Sequence, residues 1–276
     1  MKVSIWSVLF RCRSAMIGLS IILFIFCVAV IGPMITPDVQ ISGNNFMPPF
    51  GTAIFGTDDL GRDILAQMTR GAGVSLAIGL SAALVSMIIG TIVGAIAGFY
   101  GGLFDDILMR IAEGFQVIPQ FFLAILIVAL FGPSTEKIIL VIAILSWPST
   151  ARLTRAEFLK LRSLDFVHAS RISGASRFHL IFSEILPNAL PPIIVNTSLL
   201  VASSILTETS LSFLGLGDPN RVSWGQMLYN AQPFLQTAWW TAVFPGIAIL
   251  LTVLGFNLLG DGLNDVLNPK NRGGRK

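Results

Sequence analysis

Long apolar runs alternate along this chain with short polar stretches, and the runs set the predicted elements. Ala15–Ile35 holds 21 residues without a charge, preceded by Lys2, Arg11 and Arg13. A secretory leader would have an apolar core of about 7–15 residues and a small-residue cleavage site. This run is longer, and Val28-Ala29-Val30 is a poor site. It predicts an uncleaved membrane span, for which about 20 residues suffice. Gly71–Phe104 is uncharged over 34 residues, more than one straight span needs. Gly114–Thr135 comes next with Pro119 early in it, where neighbours can re-satisfy a kinked backbone. Ile138–Ala151 has only 14 residues between Lys137 and Arg152. By length it is re-entrant; with those two side chains snorkelling it becomes a full span. Ile185–Thr207 and Trp239–Gly260 complete the set. The expected spans are about 15–35, 74–99, 114–133, 137–153, 188–208 and 239–260, behind a short N-terminal segment, 1–14.

One polar stretch is too long for a connector. It runs from Arg152 to Pro187 and holds six of the 18 Lys+Arg and both histidines, His168 and His179. A loop of this length carries structure or function of its own. Phe166, Val167, Ala169 and Ala175 could form a small apolar face on short helices. Gly174 would break the run, and Pro187 with Asn188 would end it. Two short helices lying flat on a membrane surface would present such a face to something outside the membrane.

Composition narrows the class. The 276 residues are 54% hydrophobic and 12% charged, where a soluble domain carries about 25% charged residues. This is a membrane protein with one membrane domain. A net charge of +3 does not argue for nucleic acid. The two cysteines, Cys12 and Cys27, read as small hydrophobes and not as a disulfide framework.

Small residues and prolines refine the runs. Gly90, Gly94 and Gly98 recur every four residues on one helical face, which lets helix backbones approach closely in lipid. Gly56-Thr57-Asp58-Asp59-Leu60-Gly61-Arg62-Asp63 reads as a capped turn entering a helix, with Arg62 neutralised locally. The alternative is a metal loop built on its carboxylates. Glu208 stands at the end of its run and reads as an interfacial carboxylate, and Trp147, Trp239 and Trp240 as interfacial anchors.

Several stretches resemble one family. His168-Ala169-Ser170, Gly174 and Leu186-Pro187 keep the spacing of the EAA motif of bacterial ABC importer permeases. There the pattern is Glu-Ala-Ala, three residues, Gly, nine residues, Ile, one residue, Leu-Pro. Here His168 stands at the Glu position, Ser170 at the second Ala and Glu184 at the Ile. The octet from Gly56 to Asp63 resembles the GTDDLGRD signature of the dipeptide, oligopeptide and nickel branch. Leu211-Ser212-Phe213-Leu214-Gly215-Leu216-Gly217, then Ser223-Trp224-Gly225, resemble its LSFLGLG…SWG segment. Asn257-Leu258-Leu259-Gly260-Asp261-Gly262-Leu263 resembles its NLLGDGL end, with Asn264 and Asn268 departing from the Arg and Asp of the pattern.

The resemblance covers residues from about 15 to 269. It implies an all-α integral membrane protein with six transmembrane helices, a type I ABC importer permease fold and a cytoplasmic coupling helix. The implied coupling residues are Asp165, His168, Ala169, Ser170, Gly174, Leu186 and Pro187, in a loop over 154–187; its docking helix would run over 165–176, with Asp165 capping its start and Ala169 facing the ATPase groove. It also implies the C-type member of a heterodimeric permease pair, two cytoplasmic ATP-binding subunits and an extracytoplasmic solute-binding protein. ATP and Mg would sit on those partner subunits, with no cofactor on this chain. The substrate would be a short peptide, with nickel or a nickel chelate as the alternative.

Missing motifs agree with a transport subunit. There is no G-x-x-x-x-G-K-[ST], no H-E-x-x-H and no G-x-S-x-G. The run interiors hold no Asp, Glu, Lys, Arg or His, where a proton-coupled carrier needs titratable groups at membrane depth. An intramembrane enzyme would need its histidines inside, and both lie in the polar stretch. Hydroxyls and amides such as Asn196, Thr197, Ser203 and Ser204 could line a passage.

Charge sets the expected orientation. With six spans, the side that holds the N-terminus carries 14 Lys+Arg and the other side carries Arg62, Arg70, Lys137 and Arg221. Without the short fourth run the split is 5 to 13 and the larger share lies opposite. The positive-inside rule with six spans places both termini and the long polar stretch in the cytoplasm of a bacterial inner-membrane protein. A reporter active only outside the cytoplasm should therefore be silent when fused after Arg177 and active when fused near Asn220. The reverse result would overturn this orientation.

Overall fold

The computed structural model describes residues 12–41, 43–51 and 53–267. The readings made for Lys2, Arg11, Asn268 and the basic tail at Lys270, Arg272, Arg275 and Lys276 lie outside these residues. The described chain is almost wholly helical. Its helices are α1 (Arg13–Ile35), α2 (Ile64–Tyr100), α3 (Gly102–Val117), α4 (Gln120–Phe131), α5 (Thr135–Arg162) and α6 (Asp165–Ile172). After these come the long helix α7 (Arg177–Leu216), then α8 (Trp224–Ala231) and α9 (Trp240–Leu267). Helix α7 includes wider, π-helical turns at Leu180–Ile185 and Ser212–Leu216.

Among the described residues, α1, α2, α5, α7 and α9 are each long and apolar enough to cross a membrane. A sixth candidate is a bent pair, α3 with α4, whose axes differ by 80°; together the two pass the same test of length and composition. The run expected at 114–133, with a kink at Pro119, is divided at that proline between two helices. Ile118 is extended, at φ −89° and ψ 133°, because the ring of Pro119 disfavours helical angles in the residue before it. Residues 114–117 belong to α3, an amphipathic helix that also carries Asp105, Asp106, Arg110 and Glu113. Those four polar residues, which separate the uncharged runs Gly71–Phe104 and Gly114–Thr135, lie on a 16-residue helix.

Other boundaries also move. Helix α2 begins at Ile64, ahead of the expected 74, because Asp63 accepts a 2.8 Å hydrogen bond from the Ala66 N–H and caps it. Helix α5 runs through 28 residues, so the short apolar run is only its middle. The polar remainder extends beyond lipid depth at one end, which removes the reason to read a re-entrant segment. Trp147 is 7% exposed and packs edge-on against Phe115, with centroids 5.6 Å apart. Trp240 is equally buried and donates to the Thr57 carbonyl. Both belong to the protein interior and not to an interfacial belt; Trp239 is the exposed one.

The tightest seam joins α2 to α5. A Cβ on Gly90 would lie 2.6 Å from the Thr150 Cβ and 2.8 Å from the Trp147 carbonyl oxygen. One on Gly98 would lie 2.6 Å from the Phe158 Cβ. Gly94 sits between them against the Ala151 carbonyl and Thr154. Lipid tails are as apolar as leucine, so helices in a membrane associate through close packing and not through burial from water. Two arginines of α5 close the end of this seam. Arg162 donates to the Gly98 and Phe99 carbonyls, at 2.9 and 3.1 Å, which otherwise have no helical partner. Arg155 grips both oxygens of Asp105, in the first turn of α3.

A second close seam joins α1 to α9. A Cβ on Gly18 would meet the Gly255 carbonyl and the Leu259 N–H, each at 2.6 Å, and one on Gly262 would meet Ala15 at 2.5 Å. Gly94→Leu should split the α2–α5 seam at a cost of about 1–3 kcal/mol or more. The check is the yield of monodisperse protein in detergent, which should fall sharply. Wild-type yield and thermal midpoint would show that this face tolerates bulk.

Candidate functional site

The polar stretch folds as a small unit attached to α7. Helix α6 is short and amphipathic. Its Val167 is fully buried with Leu180, Ile185, Phe158 and Leu161. Leu164, not Asp165, occupies the N-cap position, and no side chain caps the helix. Asp165 is the first helical residue, where its charge favours the positive end of the helix dipole; the capping role expected for it is corrected here. The helix also stops at Ile172, short of the expected 176. The chain turns at Gly174, which has φ +87°, a region that residues with a Cβ rarely enter. The Gly174 and Ala175 N–H groups bond back to the Arg171 and Ser170 carbonyls.

Ser170 is half-buried and turned inward, while His168 and Ala169 are exposed. The Ser170 hydroxyl donates to Glu184 Oε1 at 3.1 Å. The His179 ring nitrogen Nε2 lies 3.6 Å from the same oxygen. Leu186 and Pro187 continue α7 without interruption. Around the turn the outward surface is unusually apolar for so charged a stretch: Ile172 is 87% exposed and Phe178 70% exposed.

At the opposite end of the long helices the signature octet forms a self-contained turn. Asp58 is its hub: Oδ1 accepts from the Leu60 and Arg62 N–H groups, and Oδ2 from Arg62 Nε and Gln67 Nε2, all at 2.7–3.0 Å. Asp59 lies 3.8 Å from Arg62. Gly56 and Gly61 both take positive φ, +80° and +74°. At Gly56 a Cβ would also strike the Met47 carbonyl and the Trp240 ring. Trp224 donates from Nε1 to the Met68 carbonyl at 3.1 Å and from its N–H to Ser75 at 3.2 Å, pinning α8 onto α2.

Sequence reasoning missed the polar bonds that join distant segments here. Asp218 Oδ2 accepts from both the N–H and the hydroxyl of Thr135, at 3.0 and 2.7 Å, and so caps α5 across 83 residues. Partial burial pushes the Asp218 carboxyl up, but the bonds from Thr135 and Asn220 and the nearby Arg221 outweigh it and hold it below its usual value. Glu208, expected at an interface, is 1% exposed. Its Oε1 accepts from the Ser212 and Ser223 hydroxyls at 2.8 and 2.7 Å. The helix does not stop after Thr207 but continues through Leu211 into the π-helical turn, and this carries Glu208 inward. Gly215, at φ +81°, ends that turn, and Gly217 lies close to Ser212 and Gln226.

At the far end of α9, Gly260 lies beside Ser198 and Leu199 of α7; Asn257 is half-buried and Asp261 exposed. Asn196 Nδ2 donates to the Thr150 hydroxyl, joining α7 to α5, and Ser203, Thr207 and Ser210 donate to their own helix's carbonyls.

Comparison with known proteins decides the family. Residues 90–273 match the family model described as binding-protein-dependent transport system inner membrane component. The chain belongs to this family. Residues 3–49 of the permease further match the N-terminal TM domain of oligopeptide transport permease C. It is 42% identical to the dipeptide transport system permease protein DppC of Escherichia coli over 275 residues, 96% of this chain and 92% of that one. It is 40% identical to the DppC of Bacillus subtilis over 97% of this chain and 85% of that one. Among solved structures, it superposes on a chain of the MetNI methionine ABC transporter in an inward-facing conformation, with TM-score 0.59 and 18% identity, covering 73% of this chain and 96% of the other. The permease thus has the fold of an ABC importer permease and is a multi-pass inner-membrane transport subunit.

Removing the Glu208 carboxylate would leave the Ser212 and Ser223 hydroxyls without their acceptor in a closed site. Glu208→Ala should destabilise the purified permease by about 1–3 kcal/mol, and Glu208→Gln, which keeps an acceptor, by less. Thermal unfolding in detergent checks the order. Equal midpoints for both variants and the wild type would overturn this role.

Proposed function

We propose that the permease is the C-type subunit of an ATP-driven importer of di- and oligopeptides. The observation that carries the substrate class is its identity of 40% or more, end to end, with permeases named for dipeptide transport. Nickel import by the same kind of assembly has no observation behind it. The permease pairs with a second permease subunit, two cytoplasmic ATP-binding subunits and a solute-binding protein. ATP and Mg are held by the ATP-binding subunits.

The long polar stretch lies in the cytoplasm, with both termini, and α6 is its docking element. Two features support this. The exposed Ile172 and Phe178 flank the turn at Gly174, an apolar surface on a segment otherwise rich in charge. The same segment runs without a break into a membrane-crossing helix. Asp165, His168, Ala169 and Gly174 form the outer part of this element, and Ser170, Leu186 and Pro187 its attachment.

The test is reconstitution of the permease with its partners in liposomes. Labelled dipeptide should accumulate only with ATP and the binding protein present, and nickel should not accumulate. Dipeptide uptake without ATP would overturn the reading. Gly174→Val puts a β-branched side chain where φ is +87°, at a cost of about 1–2 kcal/mol. It should insert normally and still lose most of its binding-protein-stimulated ATP hydrolysis. Full stimulation with this variant would show that the turn plays no part in docking.

A further inference from the structure

Helix α6 reaches α7 through two side chains that are one helical turn apart. Val167 makes the apolar contact, with Leu180 and Ile185. Ser170 makes the polar one, donating to Glu184 Oε1 at 3.1 Å. His179 approaches that same oxygen at 3.6 Å, and the Glu184 side chain is 28% exposed. The backbone carbonyl of Glu184 in turn accepts from Asn188 Nδ2, one turn further along α7. His168, Ala169, Arg171 and Ile172 of α6 are exposed.

The two residues in this polar contact are both departures from the EAA pattern. Where that pattern has an alanine and an isoleucine, this chain has Ser170 and Glu184, and the two bond to each other. A change at either position alone would leave a carboxylate against an apolar group or a hydroxyl without this acceptor. Together they exchange one kind of contact for another. An apolar contact is attractive but non-directional, so its two halves can slide past each other at little cost. A hydrogen bond to a carboxylate is directional and roughly twice as strong as one between neutral groups. It therefore fixes the relative position of the two helices as well as their approach.

We propose that the Ser170–Glu184 bond, flanked by His179, is the contact through which movement of α6 is passed to the spanning helix α7. Ser170 and Glu184 are positioning residues and touch no substrate. The inference rests on the docking role given to α6 above. It adds that transmission in this permease depends on a polar pair and not only on the burial of Val167.

The experiment compares S170A, S170T, E184I and the double variant S170A/E184I in the reconstituted assembly. Dipeptide uptake and ATP hydrolysis are measured together, and the readout is their ratio. S170A and E184I should each lower uptake per ATP about fivefold, the size of one net hydrogen bond. S170T keeps the hydroxyl and should keep the ratio. The double variant rebuilds an apolar pair, so its loss should be no greater than that of either single variant, as expected for residues that act on each other. Co-purification of the ATP-binding subunits reports assembly. If E184I fails to assemble, S170A, which removes one oxygen, decides the matter with S170T as its control. A wild-type ratio in S170A, or losses that simply multiply in the double variant, would overturn the inference alone. A wild-type assembly with no ATP-driven uptake would overturn the docking role and this inference with it.

Discussion

The seam between α2 and α5 is the constraint on which the rest of the molecule depends. Gly90, Gly94 and Gly98 bring two backbones into contact along three turns. In lipid that closeness is the source of the attraction, since no water is expelled when the helices meet. Its geometry then fixes what hangs from α5. Arg162 can reach the last carbonyls of α2, and Arg155 can grip Asp105, only because the two helices lie this close. Helix α6 follows Arg162 after two residues, so its position is inherited from the same seam.

The other end of the bundle is held by polar bonds between segments far apart in sequence. Asp218 caps α5, Ser223 bonds Glu208, Trp224 bonds α2 and Trp240 bonds the Thr57 carbonyl. Asp218 and Trp240 bond backbone groups that lack a helical partner, one at a helix start and one in a turn. Ser223 and Trp224 tie the start of α8 to α7 and α2. Both ends of the long helices are thus tied down, one mainly by arginines and the other by carboxylates and indoles.

Much of this was legible in the sequence, for definable reasons. Uncharged runs are long-range and redundant signals, so each apolar run could be matched to a helix, though its ends could not: α2 starts at Ile64 and not at 74. The glycine period showed a packing face, and the octet from Gly56 to Asp63 showed a turn, because glycine and aspartate have few other uses at that spacing. What escaped notice depended on one atom meeting another across the chain. Nothing near Glu208 announces that Ser223 will reach it, and nothing near Thr135 points to Asp218. The bend at Pro119 was half-visible: proline signals a kink, but its angle is set by the packing of α3 and α4 on α5. The polar stretch from Arg152 to Pro187 stands out by its length and charge, while the bond between Ser170 and Glu184 lay hidden in two residues that looked like flaws in a motif.

The unbroken course of α7 has a geometric consequence. Glu184 and Glu208 lie on one helix, one bonded to α6 and the other to the segment before α8. Each residue of a helix adds about 100° of rotation and about 1.5 Å of rise. The facing of one carboxylate is therefore fixed relative to the other by the count of residues between them. Substitutions along that length leave the count unchanged, however they alter size or polarity. A single insertion or deletion would swing one end by more than a quarter turn and pull at least one of the two carboxylates off its partner. The length of the stretch between them is fixed by its two ends, like the distance between two keyed slots on one shaft.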